Sequence, residues 1–546
     1  MFARWFSSVS LVCLLALPQV ATAQEKKGGP PTIVVRVRSV DTVIDNVKLV
    51  VSLAGRDNIA QQIEGLIKTK VGPKGLEGID PKRPFGGYAR FTEDFQVPAG
   101  VIMIPIADEK AFLGWLENLN VKASMDKTGL YTVKSDLPVE IFFRFANQYA
   151  YVTALIREGL DPANLIEPGK IFPEQQATAF SATVRLDQIP KAFKQIASGQ
   201  FEEGLSKFRD KKEPEESEKQ KEFRVAVLNE ISRQFKAILE EGGELNANLD
   251  INKQSGELLA DVSFAGKPGS ALAKEISDLA KAASLFGGLT GPDSAARGLV
   301  HYTLPDRVRE AFEAVVDEVK TKGLAGISDE GKRTQAEDLL KVLLPSLKAG
   351  ELDAAFNFSR SGPDKLYNLV AAVKLKNGDE LGKTIRDMAA ELLKEIAPAE
   401  AAKIKLDADR AQGVAIHRID VQGKFDDKAK AVFGANPLYV AFRKDALFLA
   451  LGEDGLGAIK KAVAAKSTEG SPSFLLNASI ARLAPLLAKT EQQKEMVRTV
   501  FAKGDEGRIN VSLEGGSALR FRLTSQLSVL QFFSSAIANA QLKLGD

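Results

Sequence analysis

Cysteine is nearly absent: Cys13 is the only one in 546 residues, and it lies in an apolar stretch near the N-terminus. A disulfide framework and a thiolate zinc site are therefore excluded. Histidine is almost as scarce, with only His301 and His417. The chain has no H-E-x-x-H, and the two histidines fall in separate strand-like segments, LVHYTL and VAIHRIDV. Two unrelated packed histidines are expected there, rather than a catalytic pair or metal ligands. Long hydrophobic runs are missing as well. Beyond the N-terminal stretch no apolar run reaches 18 residues, so no transmembrane helix is expected. Neither sign of charge dominates, with 73 Lys and Arg against 71 Asp and Glu. A near-neutral, mixed surface leaves no footprint for nucleic acid. The one basic stretch, KTKVGPKGLEGIDPKRP at residues 68–84, reads as a solvated Gly/Pro loop.

The N-terminus carries its own signal. Arg4 precedes the apolar segment VSLVCLLAL, and Pro18 and the tripeptide Ala21-Thr22-Ala23 follow it. A basic residue, a short apolar core and an A-x-A end form the pattern of a secretory signal peptide. Residues 1–23 are expected to be removed, leaving Gln24 at the new terminus and placing the protein in the periplasm or outside the cell. The remaining 523 residues would contain no cysteine. They suffice for roughly three or four domain-sized units held together by apolar cores.

Familiar catalytic motifs are also missing. There is no G-x-S-x-G, no Walker A motif and no G-x-G-x-x-G after a strand. DINKQSGE (Asp250–Glu257) and DADRAQGV (Asp407–Val414) look like the start of a calcium loop. Their glycines come one position late and no Glu closes twelve residues, so both read as hairpin turns. SMDKTG (Ser124–Gly129) contains both S-x-x-K and K-T-G. In penicillin-recognising enzymes those motifs supply two different lysines, and Lys127 cannot be both, so this too reads as a turn. Asn357, Asn477 and Asn510 sit in N-x-S sequons, which matter only in a glycosylating pathway. No catalytic, cofactor-binding or metal-ligating residue is assigned, and no cofactor is implied.

What the chain does contain is a repeat. EKQKEF (218–223) returns as EQQKEM (491–496). Both lie in the same order of elements. ATAFSATVRL, a helix, LNANLDI, ELLADVSF and a second helix match SFLLNASI, a helix, RINVSLE, ALRFRLTS and a closing helix. Upstream, GGYARF and LDAAFNF each precede a strand and a helix opening at an acidic pair, Asp108-Glu109 or Asp379-Glu380. Acidic residues in a first turn suit the helix dipole. Pro138/Pro437, Phe143/Phe442 and Arg144/Arg443 align at a single offset of 299 within two hairpin-like segments. The expected architecture is α+β: a tandem duplication of antiparallel sheets covered by helices, with halves at 32–286 and 298–546 and a linker at 287–297. A finer reading divides each half into two βαββα-type units. The apolar stripe Phe223, Val227, Leu228, Ile231, Phe235 and Ile238 should pack its helix against a sheet.

In its A-x-A leader, its lack of further cysteine and its strand–helix repeats with GIDPKRPFGGYARF (Gly78–Phe91), the chain resembles uncharacterised exported proteins of planctomycete-type bacteria. The resemblance implies a location in the cell envelope and no particular activity. Three functions are compatible with the residues. The first is a non-catalytic binding or scaffold protein whose partner is another protein or an envelope component. The second is a carrier of apolar ligands, and the third a hydrolase with an unfamiliar carboxylate pair. A ligand is expected between the two halves, as domain interfaces favour clefts. Trp115, on a stripe with Phe112, Leu116 and Leu119, is expected to be mostly buried.

Overall fold

The computed structural model describes residues 30–53, 76–91, 99–119, 121–134, 139–154, 156–173, 178–211, 214–289, 294–360, 366–421, 423, 425–488, 490–501 and 506–542. The leader and much of the basic segment lie outside these residues. The chain divides into two compact units. The first is Met1–Ser52, Arg56–Ala197 and Gly243–Ile251; the second is Leu53–Gly55, Ser198–Gly242 and Asn252–Asp546. The α+β class is as expected: each unit has an antiparallel sheet with helices packed on it.

The first unit contains β1 (Ile33–Val37), β2 (Phe85–Arg90), β3 (Ala99–Pro105), β4 (Lys122–Met125), β5 (Tyr131–Lys134), β6 (Ile141–Ala146), β7 (Tyr149–Ala154), β8 (Phe180–Arg185) and β9 (Gly242–Asn252). Every pairing is antiparallel, and the order across the sheet is β4-β5-β6-β7-β3-β2-β1-β8-β9. Each face has its own core. On one face Val34, Tyr88, Met103 and Tyr151 pack beneath Leu160, Ile171 and Phe172. Tyr151 donates its hydroxyl proton to the Ile166 carbonyl at 2.8 Å, and burial pushes that phenol up to about 12. On the other face, the helix Glu109–Asn118 covers the β5–β7 end through Phe112, which meets Phe143 and Phe145 edge-on. Asp108 caps this helix by accepting from the Ala111 N–H at 2.8 Å. Trp115 packs partly buried in this cluster, 5.6 Å from Phe112.

The second unit contains β10 (Glu257–Gly266), β11 (Ser294–Thr303), β12 (Glu351–Ser359), β13 (Asn368–Lys374), β14 (Ile404–Ala411), β15 (Val414–Ile419), β16 (Leu438–Arg443), β17 (Ala446–Gly452), β18 (Phe474–Ser479), β19 (Arg508–Glu514) and β20 (Leu519–Gln526). The order is β14-β15-β16-β17-β13-β12-β11-β18-β19-β20-β10, again antiparallel throughout. β11 begins at Ser294, inside the stretch read from sequence as a linker.

One face of this sheet is closed by the helix Gly455–Ala464. Its Ile459, Ala462 and Val463 pack with Leu299, Ala355, Ala372 and Phe448. On the opposite face the helix Gly378–Glu395 rests on β16. Gly382 allows the approach: a Cβ there would lie 2.6 Å from the Phe442 Cβ. From this helix a row of helices continues, Glu330–Lys348, then Asp306–Ala325, then Glu218–Glu241, each packed on the next.

Two sequence expectations need correction. The stripe on Glu218–Glu241 packs mainly against helices, through Phe223 on Phe312 and Phe235 on Phe201, and Ile231 stays 44% exposed. A stripe fixes which side of a helix is apolar, not what covers it. The hairpins β6–β7 and β16–β17 turn at 147–148 and 444–445, which are 297 apart. The sequence offset of 299 is thus two residues out of register, and Phe143 is level with Val440 rather than Phe442.

Candidate functional site

The two histidines are in different strands, as expected, and neither belongs to a reactive cluster. His301 on β11 stands opposite Asp353 on β12. Its Nδ1 lies 3.7 Å from Asp353 Oδ2, beyond hydrogen-bond range. The Asp353 carboxylate is 1% exposed. It accepts from Ser284 Oγ at 2.7 Å and from the Leu285 N–H at 2.8 Å. Ser, Asp and His meet here, but the serine donates to the carboxylate and not to the imidazole. A Ser-His-Asp nucleophile needs the opposite arrangement. The cluster instead holds residues 284–286 so that Phe286 enters the core. His417 on β15 is buried, and its Nδ1 accepts from the Asp407 N–H at 3.1 Å.

All three motifs contain a hairpin turn. Asp126 accepts from the N–H groups of Thr128 and Leu130 and from the Thr128 hydroxyl, closing the β4–β5 turn. Asn252 accepts from the N–H groups of Gln254 and Ser255, with Gly256 at φ 65°. In the third, Asp407 is not in the turn. It lies in β14 at a break in register between Lys405 and Asp409, and the turn is only Gln412-Gly413, both at positive φ. The sequon side chains are engaged inside the sheet. Asn477 donates to Asn510, and Asn357 accepts from Ser294.

Sequence reasoning missed a groove. Across β18, β11, β12, β13 and β17, the face opposite the Ile459 core is apolar and partly open. It encloses about 400 Å³. Two rows of directly paired residues form its floor. One runs Leu476–Gly298–Phe356–Ala371–Leu449, the other Phe474–Val300–Ala354–Val373–Leu447. Phe474 is 38% exposed. Among the described residues no charged side chain lines the groove. Its volume falls within the ~300–1,000 Å³ typical of small-molecule sites.

Comparison with protein-family models and with curated proteins finds no match for this chain. The groove's chemistry therefore has to be read from its own residues. Its described residues offer no nucleophile, no acid–base pair and no ligand set for a metal. Among the described residues no group of three or more His, Cys, Asp or Glu could hold a metal ion. Nor is any described helix long and apolar enough to cross a membrane. What the groove can do is remove an apolar molecule from water.

Proposed function

We propose that this protein is an exported, internally duplicated carrier that binds an apolar ligand on the open sheet face of its second unit. The observation that carries the ligand reading is the groove: about 400 Å³ lined by apolar residues of five adjacent strands. Burial of a methylene contributes roughly 0.8 kcal/mol, so about ten of them would supply ~8 kcal/mol, or micromolar affinity, before the costs of association. Export rests on the leader pattern of residues 1–23.

The duplication rests on position-by-position correspondence. Nine strands of each unit follow one order, with β1 to β9 taking the places of β11 to β19. The helices Glu218–Glu241 and Glu491–Val500 both begin with a capping box, Ser217 with Gln220 and Thr490 with Gln493. Asp108 and Asn377 are the N-caps of the helices that follow β3 and β13. Asn246 and Asn510 occupy matching places in β9 and β19, each bonded to the residue paired with it across the strand, Thr183 or Asn477. The finer division of each half gains no support, because each unit's strands run through one continuous sheet.

The test is a titration of the purified protein with 1,8-anilinonaphthalenesulfonate, an environment-sensitive apolar dye. The wild type should bind it with a blue shift, and Ala354→Lys, which puts a charge on the groove floor, should weaken binding at least about tenfold. A wild type without dye binding would refute the carrier reading.

A further inference from the structure

The groove has a counterpart in the first unit, and the two differ in bulk at matching positions. In the second unit the row is Leu476–Gly298–Phe356–Ala371–Leu449; in the first it is Ala182–Val35–Gly87–Ile102–Val152. Gly298 replaces a valine and Phe356 a glycine, so bulk has moved one strand along. A Cβ on Gly298 would lie 2.4 Å from the Phe356 ring, so the ring rests against the bare Gly298 backbone. At the next position Ala371 stands where the first unit has Ile102, which is 56% exposed. Gly298 parks the phenyl ring to one side, and Ala371 and Ala354 keep the neighbouring floor low.

We propose that Gly298 and Ala371 determine the groove's specificity and that its ligand is a single-chain amphiphile of the fatty-acid class. This rests on the carrier reading above. The groove encloses about 400 Å³, a volume in the range of small-molecule sites. Among the described residues the lining contains no charged group to pair with a polar head, and one side is open. A head group can therefore stay in water while its chain lies on the floor. With the Phe356 ring lying over Gly298, the low positions left open are Ala354 and Ala371 on the adjacent strands β12 and β13. Phe356 stands beside them, so a flexible chain fits around the ring and a rigid fused-ring ligand does not. One such slot accommodates one chain, and a diacyl lipid would leave its second chain exposed.

The experiment titrates the full-length protein with cis-parinaric acid, a fluorescent fatty acid, and with dehydroergosterol, a fluorescent sterol. Gly298→Ala drives the phenyl ring back over the floor, and Ala371→Ile installs the side-chain type found at the matching position of the first unit. The wild type should bind the fatty acid and reject the sterol. Each variant should lose at least about tenfold in fatty-acid affinity while its thermal unfolding midpoint stays near that of the wild type. Sterol binding as tight as that of the fatty acid, strong competition by a diacyl phospholipid, or variants that bind like the wild type would overturn this proposal and leave the carrier reading standing. A wild type that binds neither probe and no apolar dye would remove both.

Discussion

His417 accepts a hydrogen bond that only its neutral ring can accept. The Asp407 N–H points at Nδ1 from 3.1 Å, at the break in register of β14. Burial lowers the imidazole below its ordinary value of 6.5; the Asp407 carboxylate opposes this and Arg386 adds to it. A base whose folded pKa is depressed leaves the unfolded chain binding more protons between the two values, so stability falls as pH falls. The contribution is complete above about 6.5 and is lost on descending from there toward the lower folded value. In urea titrations, His417→Asn should be less stable than the wild type at pH 7.5, and the gap should narrow by pH 5. A gap that does not change with pH would show that the ring is merely packed against Phe442. Sequence alone placed His417 correctly in a strand. It could not give its partner, because Asp407 looked like a turn residue until the Gln412-Gly413 turn was seen to occupy that role.

At the scale of elements, the two copies of one hexapeptide became two helix starts of the same construction. Ser217 and Thr490 each accept from the N–H of the residue three further on, and Gln220 and Gln493 reach back. Removing such a cap typically costs about 1 kcal/mol. Ser217 has a further bond, donating its hydroxyl proton to Glu318 on the helix Asp306–Ala325. Ser217→Ala should therefore cost more than Thr490→Ala, measured from urea midpoints at constant slope. Equal losses would mean that the Glu318 bond adds nothing to folding. The recurring hexapeptides were legible because they are local; the capping boxes just ahead of them, S-x-x-Q and T-x-x-Q, are equally local but were not read from the sequence. The helix stripe through Phe223 and Phe235 was legible only as a stripe. That it faces Phe312 and Phe201 rather than a sheet depends on residues distant in sequence.

For the whole molecule, the order of strands and helices could be read from recurring peptides, and the groove could not. β11, β12 and β13 are apolar on both faces: Leu299, Ala355 and Ala372 face the Ile459 core, while Val300, Ala354 and Ala371 face the groove. A two-residue period tells the faces of a strand apart only when one of them is polar. Here coverage decides, and coverage is set by where the helices Gly455–Ala464 and Gly378–Glu395 settle. The expected site between the halves was drawn from a general preference for interfaces, whereas the groove belongs to one sheet. The proposal to be tested here is that this face holds an acyl chain. The decisive measurement is photo-cross-linking of the full-length protein with a fatty acid that carries a photoactivatable diazirine on its chain, mapped by mass spectrometry. The adducts should fall on β11, β12 and β13, at residues such as Val300, Phe356 and Val373, and unlabelled palmitate should suppress them. Adducts spread over other surfaces, or none that palmitate suppresses, would contradict it.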